Sequence, residues 1–168
     1  MIMGIISIKF IGVLYSRLSG IMLACIILGL WSCEQRSVFD NNKNLPGDVW
    51  RSDQIIRLDV EIKDTVNIHK FYLNLRHKTI YRYANLFLFI NTTYPDGTHA
   101  RDTVECILAD PSGKWLGKGI SNIRDYQVLL RRGLRFPMQG TYTFEFEQAM
   151  REPELSGIMD IGLRIVKE

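Results

Sequence analysis

The sequence predicts an all-β fold, an antiparallel β-sandwich of jelly-roll type that follows an N-terminal signal and a short tether. From residue 54 onward, apolar and polar residues alternate in runs of strand length. Turn signals made of Pro, Asp and Gly separate these runs, and no window carries the apolar stripe of an amphipathic helix. We therefore divide the chain into a signal at residues 1–32, a tether with a loop leading into the domain at residues 33–53, and a sandwich domain at residues 54–168.

The first 32 residues have the layout of a secretory signal. Basic residues precede an apolar stretch from Leu18 to Ser32, and the first acidic residue is Glu34. Leu30 and Ser32 suit the positions three and one before Cys33. This ending resembles a bacterial lipoprotein signal, in which the cysteine is lipidated and becomes the new N-terminus. Several acyl chains on Cys33 would hold the protein firmly on a membrane.

Two alternatives to cleavage before Cys33 stay open. Trp31 is bulky for a cleavage site, and Cys25 offers a rival one. Cleavage before Cys25 would leave an apolar tail on the mature chain, so we favour Cys33. An uncleaved anchor is the other alternative, although residues 18–32 are short beside the about 20 residues of a membrane-spanning helix.

Charge and cysteine content exclude some classes of function. The net charge of the whole chain is only +3, which argues against a nucleic-acid binder. If Cys33 is lipidated, Cys106 is the one thiol left after signal removal, so no internal disulfide can form. We expect Cys106 to be a small buried residue of a strand.

The first predicted strands follow from their alternation. Ile56–Lys63 places apolar residues on one face and charged residues on the other, which is typical of a half-buried antiparallel strand. Phe71–Arg76 repeats this pattern. Leu86–Ile90 is continuously apolar and predicts a central strand buried on both faces.

Turn chemistry marks the next elements. In Tyr94–Gly97, Pro presets the backbone of a turn and Gly accepts a positive φ, so a hairpin should lead into a return strand at His99–Ala109. Asp110–Gly113 is a second turn of this kind. The remaining strands are predicted at 126–130, 141–147 and 161–165, and residues 147–157 leave room for one helical turn.

The sequence gives no sign of an enzyme, a metal site or a cofactor. His69, His77 and His99 have no ligand-pair spacing, and we expect all of them at the surface. Glu145 and Glu147 lie two apart on one strand, which would suit a glycosidase pair, but any exposed strand face produces such pairs.

Two surface features suggest binding rather than catalysis. Arg131, Arg132 and Arg135 indicate either a solvated strand face or a basic contact for a partner or for lipid headgroups. Four aromatic residues could instead form a flat platform for sugars, which makes a glycan-binding module the alternative function: Trp50, Tyr94, Trp115 and Tyr126.

Several runs of residues, in their joint order, resemble the gliding-motility lipoprotein family GldH of the Bacteroidota. Besides Cys33 and Trp50, these runs are Val38–Asp40, Asn85–Phe89, Tyr94–Gly97, Ala109–Gly119, Phe136–Pro137, Gly140–Tyr142, Phe146–Arg151 and Ile161–Ile165. The resemblance implies a lipoprotein of the cell envelope, which we expect on the outer membrane as a non-catalytic component or stabiliser of a gliding-motility or type IX secretion-associated complex. It also implies other envelope proteins as partners, and we expect no cofactor or small-molecule substrate. Relatives also occur in Bacteroidota that do not glide. Only Cys33 is assigned a role, as the lipidation site.

The residues after Cys33 bear on which face of the outer membrane the protein occupies. Surface lipoproteins of this phylum often carry an acidic run after the cysteine, whereas Glu34–Ser37 holds one acid and one base. We therefore expect the domain to face the periplasm.

Overall fold

The computed structural model describes residues 37–168, so the signal, Cys25 and Cys33 lie outside the described residues. Within this range the chain forms ten strands and one 3-10 turn at Pro46–Asp48. The strands are β1 (Ser37–Asn44), β2 (Val49–Arg51), β3 (Ile56–Ile62), β4 (His69–Lys78), β5 (Asn85–Thr93), β6 (His99–Ile107), β7 (Ile123–Leu134), β8 (Gly140–Gln148), β9 (Glu154–Ser156) and β10 (Ile158–Lys167). No helix in the described part is both long enough and apolar enough to cross a bilayer.

Two four-stranded sheets form the body of the domain. Sheet I has the order β1-β10-β4-β7, sheet II has the order β3-β8-β5-β6, and β2 and β9 form a separate ribbon. Every strand pair is antiparallel. Leaving out the two short ribbon strands, successive strands are distributed between two four-stranded sheets as in an eight-stranded jelly roll. The predicted all-β sandwich of jelly-roll type is confirmed.

The core lies between the two sheets and unites them. Leu73 and Leu163 of sheet I and Leu88 and Phe146 of sheet II are at most 1% exposed and belong to one hydrophobic cluster. Alternation decided the faces, since the residues of β3 are alternately buried and exposed along its whole length. Cys106 also lies in this core at 0% exposure, and burial raises the pKa of its thiol to about 12. The expectation that Cys106 is a small buried residue of a strand is confirmed.

Strand β5 corrects one prediction. It is central in sheet II, but Phe87 and Phe89 are only half-buried, because none of the strands at residues 37–168 forms a further layer over the outer face of this sheet. The guanidinium of Arg101 lies 4.1 Å from the centre of the Phe89 ring and shields it partly. A continuous apolar run therefore did not mean burial on both faces.

The predicted tether is wrong from Ser37 onward. Residues 37–44 form β1, which pairs with β10 over its length, so the strands of the domain begin at Ser37 rather than near residue 54. Trp50 is fully buried, and its indole Nε1 donates to the Gln54 carbonyl at 2.9 Å. The polar composition of residues 37–44 predicted a tether, but an edge strand is held by backbone pairing, and in β1 only Phe39 packs on the core.

A second local prediction is also corrected. In the 147–157 segment, Glu154–Ser156 forms a strand instead of a helical turn.

Candidate functional site

The surface prediction is confirmed for one of the three histidines and wrong for the other two. His99 is exposed as expected, with its ring 3.0 Å from the Thr93 hydroxyl. His69 and His77 are both 0% exposed, so the surface prediction is wrong for them. Each lies at an end of β4 beneath an aromatic ring from a distant segment: Phe136 at 5.2 Å from His69 and Trp115 at 4.6 Å from His77, between ring centres. The signal was present, because both histidines share the parity of the buried residues Phe71, Leu73 and Leu75.

Among the residues that the structure describes, His77 has one hydrogen-bond partner. Its Nδ1 donates to the Lys78 carbonyl at 3.1 Å, which places the proton of the neutral ring on that nitrogen. Burial lowers the pKa of His77, a nearby Arg124 acts in the same direction, and the hydrogen bond to Lys78 opposes both. Burial therefore favours the neutral form of the imidazole.

The paired glutamates belong to a surface charge network. Glu145 and Glu147 lie on the outer face of β8, as the spacing predicted. Glu147 lies 3.4 Å from Arg101, and Glu145 lies 3.9 Å from Arg57. Within residues 37–168, no group of three His, Cys, Asp or Glu side chains could hold a metal ion.

The four aromatic residues do not form a platform. Trp50 is buried, Trp115 packs on His77, and Tyr94 packs on Tyr142 with 5.5 Å between ring centres. Tyr94 follows the last residue of β5, whereas Trp115 lies beyond the far end of β6, opposite the start of β5. Strands of this length separate them by about 30 Å. The aromatic-platform prediction is wrong, and with it the glycan-binding alternative loses its motivation.

The structure instead shows an apolar cleft between the two sheets, at the side where β6 and β7 are the edge strands. We call it the edge cleft. Its volume is about 340 Å³, within the range typical of small-molecule pockets. Its wall is mainly aromatic and aliphatic, with Phe71, Ile90, Val104, Leu130, Leu134, Phe136, Phe144 and Phe146 as apolar members.

Bulges in β7 account for the opening. The register between β4 and β7 shifts twice near Phe71, so that extra residues of β7 lie opposite single residues of β4. Gly133, in the second bulge, has a φ of 72°, a left-handed conformation that glycine adopts readily. Bulged strands bend and leave their ladder. The second half of β7 thus bends where the sandwich opens.

The mouth of the edge cleft carries charge. Arg131 and Arg135 line it, together with Asp102 on β6. In the part of the chain that the structure describes, none of these three side chains has an oppositely charged partner within 4.0 Å. Arg132 is exposed and does not line the cleft. The sequence grouped these three arginines as one cluster, whereas in the structure only Arg131 and Arg135 line the cleft.

A second feature is a row of amides across the outer face of sheet I, which we call the amide row. Asn42, Gly162, Asn74 and Gln127 lie in register on β1, β10, β4 and β7. The Asn74 Nδ2 donates to the Asn42 Oδ1 at 2.9 Å, and the Gln127 Nε2 donates to the Asn74 Oδ1 at 3.0 Å. The Asn42–Asn74 bond passes over Gly162, where a Cβ would lie 1.9 Å from the Asn42 Oδ1.

The next row of sheet I carries charge. Asn44 donates to Asp160, Arg76 lies 3.3 Å from Asp160, and Arg76 lies 2.5 Å from Asp125. Asp160 is 4% exposed, and burial raises its pKa despite the neighbouring Arg76. Together the two rows form the polar face of sheet I, and a groove of about 570 Å³ lies over part of it. Sequence reasoning missed this face, although Asp40, Asn42 and Asn44 alternate in β1.

The loop between β6 and β7 contains the longest of the resembling runs, Ala109–Gly119. The Asp110 carboxylate accepts hydrogen bonds from the backbone N–H groups of Ser112 and Lys114 at 2.9 and 3.0 Å. Lys118 exchanges two backbone hydrogen bonds with Asp125, so the loop covers the first part of the β7 edge. The cleft therefore lies beside the second part of that edge.

These features define an all-β sandwich domain with an edge cleft and a polar face, and comparison with known proteins identifies its family. The family model described as GldH lipoprotein matches residues 37–165. The chain is 33% identical over 154 residues to the gliding motility lipoprotein GldH of Flavobacterium johnsoniae, covering 88% of this chain and 94% of that protein. It is 30% identical over 143 residues to a gliding motility lipoprotein GldH homolog of Christiangramia forsetii, covering 81% and 87%.

The chain belongs to the GldH lipoprotein family, as its sequence runs indicated. A structure of infectious bursal disease virus, Gx strain, is similar over 79% of this chain and 30% of that one, at 11% identity. Its TM-score of 0.31 is too low to support any conclusion on fold or function.

Proposed function

We propose that this protein is a non-catalytic lipoprotein, lipidated at Cys33, that serves as a component of a gliding-motility or type IX secretion-associated envelope complex. Its place would be the periplasmic side of the outer membrane. The observation that carries the proposal is the family match over residues 37–165, with relatives named gliding motility lipoproteins. The relatives' names are consistent with membrane anchoring, and the partner proteins are our inference.

The tether supports close attachment of the domain to the membrane. Cys33 and Ser37, the first residue of β1, are four positions apart. Four residues span at most about 14 Å when fully extended. An acylated Cys33 would therefore hold the sandwich against the membrane and restrict how it presents its faces to a partner.

The polar face of sheet I is the surface we assign to a partner protein. Asn42, Gln127 and Asp125 are exposed there, while Asn74 and Asp160 beneath them are nearly buried and fully engaged. Because hydrogen bonds between neighbouring side chains already order this surface, a partner would lose little side-chain entropy in docking on it. Exposed amides and charges of both signs suit a specific polar interface.

In-cell crosslinking and pull-down with a tagged chain test this proposal. The Asn42→Ala, Gln127→Ala double variant changes two exposed members of the amide row, and we expect it to recover clearly less of the envelope proteins that the wild type recovers. The matched control is Glu61→Ala, Thr141→Ala, an exposed cross-strand pair on the outer face of sheet II. Equal recovery with both variants would show that another surface binds the partner. Recovery of nothing above background with the wild type would refute the complex itself.

A further inference from the structure

We propose that the edge cleft binds a single acyl chain with an anionic head, that is, a fatty acid, with the chain between the sheets and the carboxylate at Arg131 and Arg135. This site goes beyond the function proposed above, because neither the family match nor the anchoring at Cys33 implies a bound ligand.

The wall of the cleft selects an apolar ligand. Phe71, Phe144 and Phe146 come from the inner faces of both sheets, and Leu130 and Leu134 are half-buried members of the bulged β7. Burying such surface against an acyl chain is favourable by about 25 cal/mol per Å². A volume of about 340 Å³ suits one chain rather than the pair of chains of a phospholipid.

The mouth of the cleft selects the sign of the head group. Arg131 and Arg135 outnumber Asp102, so the mouth carries a net positive charge. Neither arginine is within 4.0 Å of a carboxylate in the described residues, so both guanidinium groups remain available to a ligand. An arginine can bind a carboxylate through two parallel hydrogen bonds.

A peptide strand inserted between the sheets is the competing occupant, and both cleft edges disfavour it. Asp102 lies opposite Ile90 and shares the core-facing side of β6 with Val104 and Cys106, so it is an inward-pointing charge on an edge strand. The bulges of β7 interrupt the regular ladder that an added strand would need. Both are devices by which proteins prevent strand pairing at a sheet edge.

The position of the cleft gives it access to membrane amphiphiles. Leu134 pairs with His69 at the end of sheet I where Ser37 pairs with Val166, so the cleft on the β7 side lies toward the same end of the sandwich as the start of β1. Only this point depends on the anchoring proposed at Cys33. Fatty acids released in the membrane would meet this end of the sandwich first.

Isothermal titration calorimetry tests the site. The mature chain with Cys33→Ser, exported behind a cleavable signal, avoids detergent and leaves every described residue unchanged. We expect saturable binding of palmitate and none of hexadecyltrimethylammonium, which has a tail of equal length and the opposite charge. Absence of palmitate binding by the folded protein overturns the proposal, whatever the fate of the anchoring and complex roles.

Variants separate the head-group and tail contributions. Arg131→Gln with Arg135→Gln should weaken palmitate binding by about tenfold or more, because charge-assisted bonds are lost. Arg132→Gln, between them in sequence but outside the cleft, should bind as the wild type does, and Asp102→Asn should bind more tightly. Leu130→Trp should fill the cleft and abolish binding while the melting transition stays cooperative.

Three results would contradict the assignment. They are palmitate binding retained in Leu130→Trp, equal affinity for palmitate and the cationic amphiphile, and an equal loss of affinity in Arg132→Gln and the double arginine variant. In cells, a photo-crosslinker at position 104 should capture lipid. Capture of another protein's strand at that position would replace the acyl chain with a peptide as the occupant.

Discussion

His77 couples the folded state to pH. It is buried beneath Trp115 and donates from Nδ1 to Lys78, and burial lowers its pKa. In the unfolded chain its pKa would be about 6.5. Between the two values the unfolded state binds more protons, so the contribution of His77 to stability is complete above about pH 6.5 and is lost as the pH falls below it.

We therefore expect the free energy of unfolding to decrease as the pH falls below about 6.5, and His77→Gln to flatten this dependence. Denaturant titrations at several pH values measure it. His99→Gln is the control, since His99 is exposed. Asp160, with its raised pKa, acts in the opposite direction at lower pH and is common to both variants. Identical pH profiles for the wild type and His77→Gln would contradict the assignment.

For single residues, the sequence predicted well which face of a strand each side chain points to. It predicted poorly which side chains are buried by segments distant in the chain. The burial of Cys106 and of alternate residues in β3 and β8 follows from the period of two. The same period pointed His69 and His77 inward, but their burial also depends on Phe136 and Trp115, which are remote in sequence. The prediction that His69 and His77 lie at the surface was wrong because it followed their polar residue type and not their position in the alternating pattern of β4.

In strands β1, β10 and β4, the absence of a side chain at Gly162 allows a hydrogen bond to cross the middle strand. Gly162 lies between Asn42 and Asn74, and its lack of a Cβ lets their amides meet above the sheet. Gly162→Ala would place a Cβ 1.9 Å from the Asn42 Oδ1 and 2.4 Å from the Asn41 carbonyl oxygen. We expect a loss of about 1–3 kcal/mol of stability, typical of overpacking, measured by chemical unfolding.

Asn42→Ala provides the comparison for this prediction. Alone it should cost about 1 kcal/mol, since it removes one hydrogen bond without a clash. In the Gly162→Ala background it removes the closest clash, so the double variant should be less destabilised than the sum of the single variants. Strict additivity of the two changes would show that Gly162 and Asn42 do not meet as described.

At the scale of elements, the sequence placed seven of the long strands but not β1. Edge pairing of β1 with β10 links residues separated by more than a hundred positions, such as Asp40 and Arg164. Its polar side chains carry almost no burial signal. Backbone hydrogen bonds hold this strand, and they are invisible to residue composition.

At the scale of the whole molecule, the prediction to test is attachment to the membrane through Cys33. If Cys33 is lipidated, Cys33→Ala should move the protein from the membrane fraction to the soluble fraction of the envelope, because several acyl chains are lost together. Fractionation followed by immunoblotting measures this.

Protease added to intact cells should leave the wild-type domain uncut, as expected for a periplasm-facing position. Ready digestion in intact cells would place the domain on the cell surface instead.

By itself the sequence determined the all-β class, the turns, the faces of most strands and the family, because side-chain period and turn chemistry are local and leave a readable pattern. Only the tertiary structure decided that residues 37–53 belong to the domain, that the amides of sheet I form a row, and that Arg131 and Arg135 but not Arg132 line an apolar cleft. These features arise where strands distant in the chain pair or separate, and such pairing depends on backbone register and on bulges rather than on the order of polar and apolar residues.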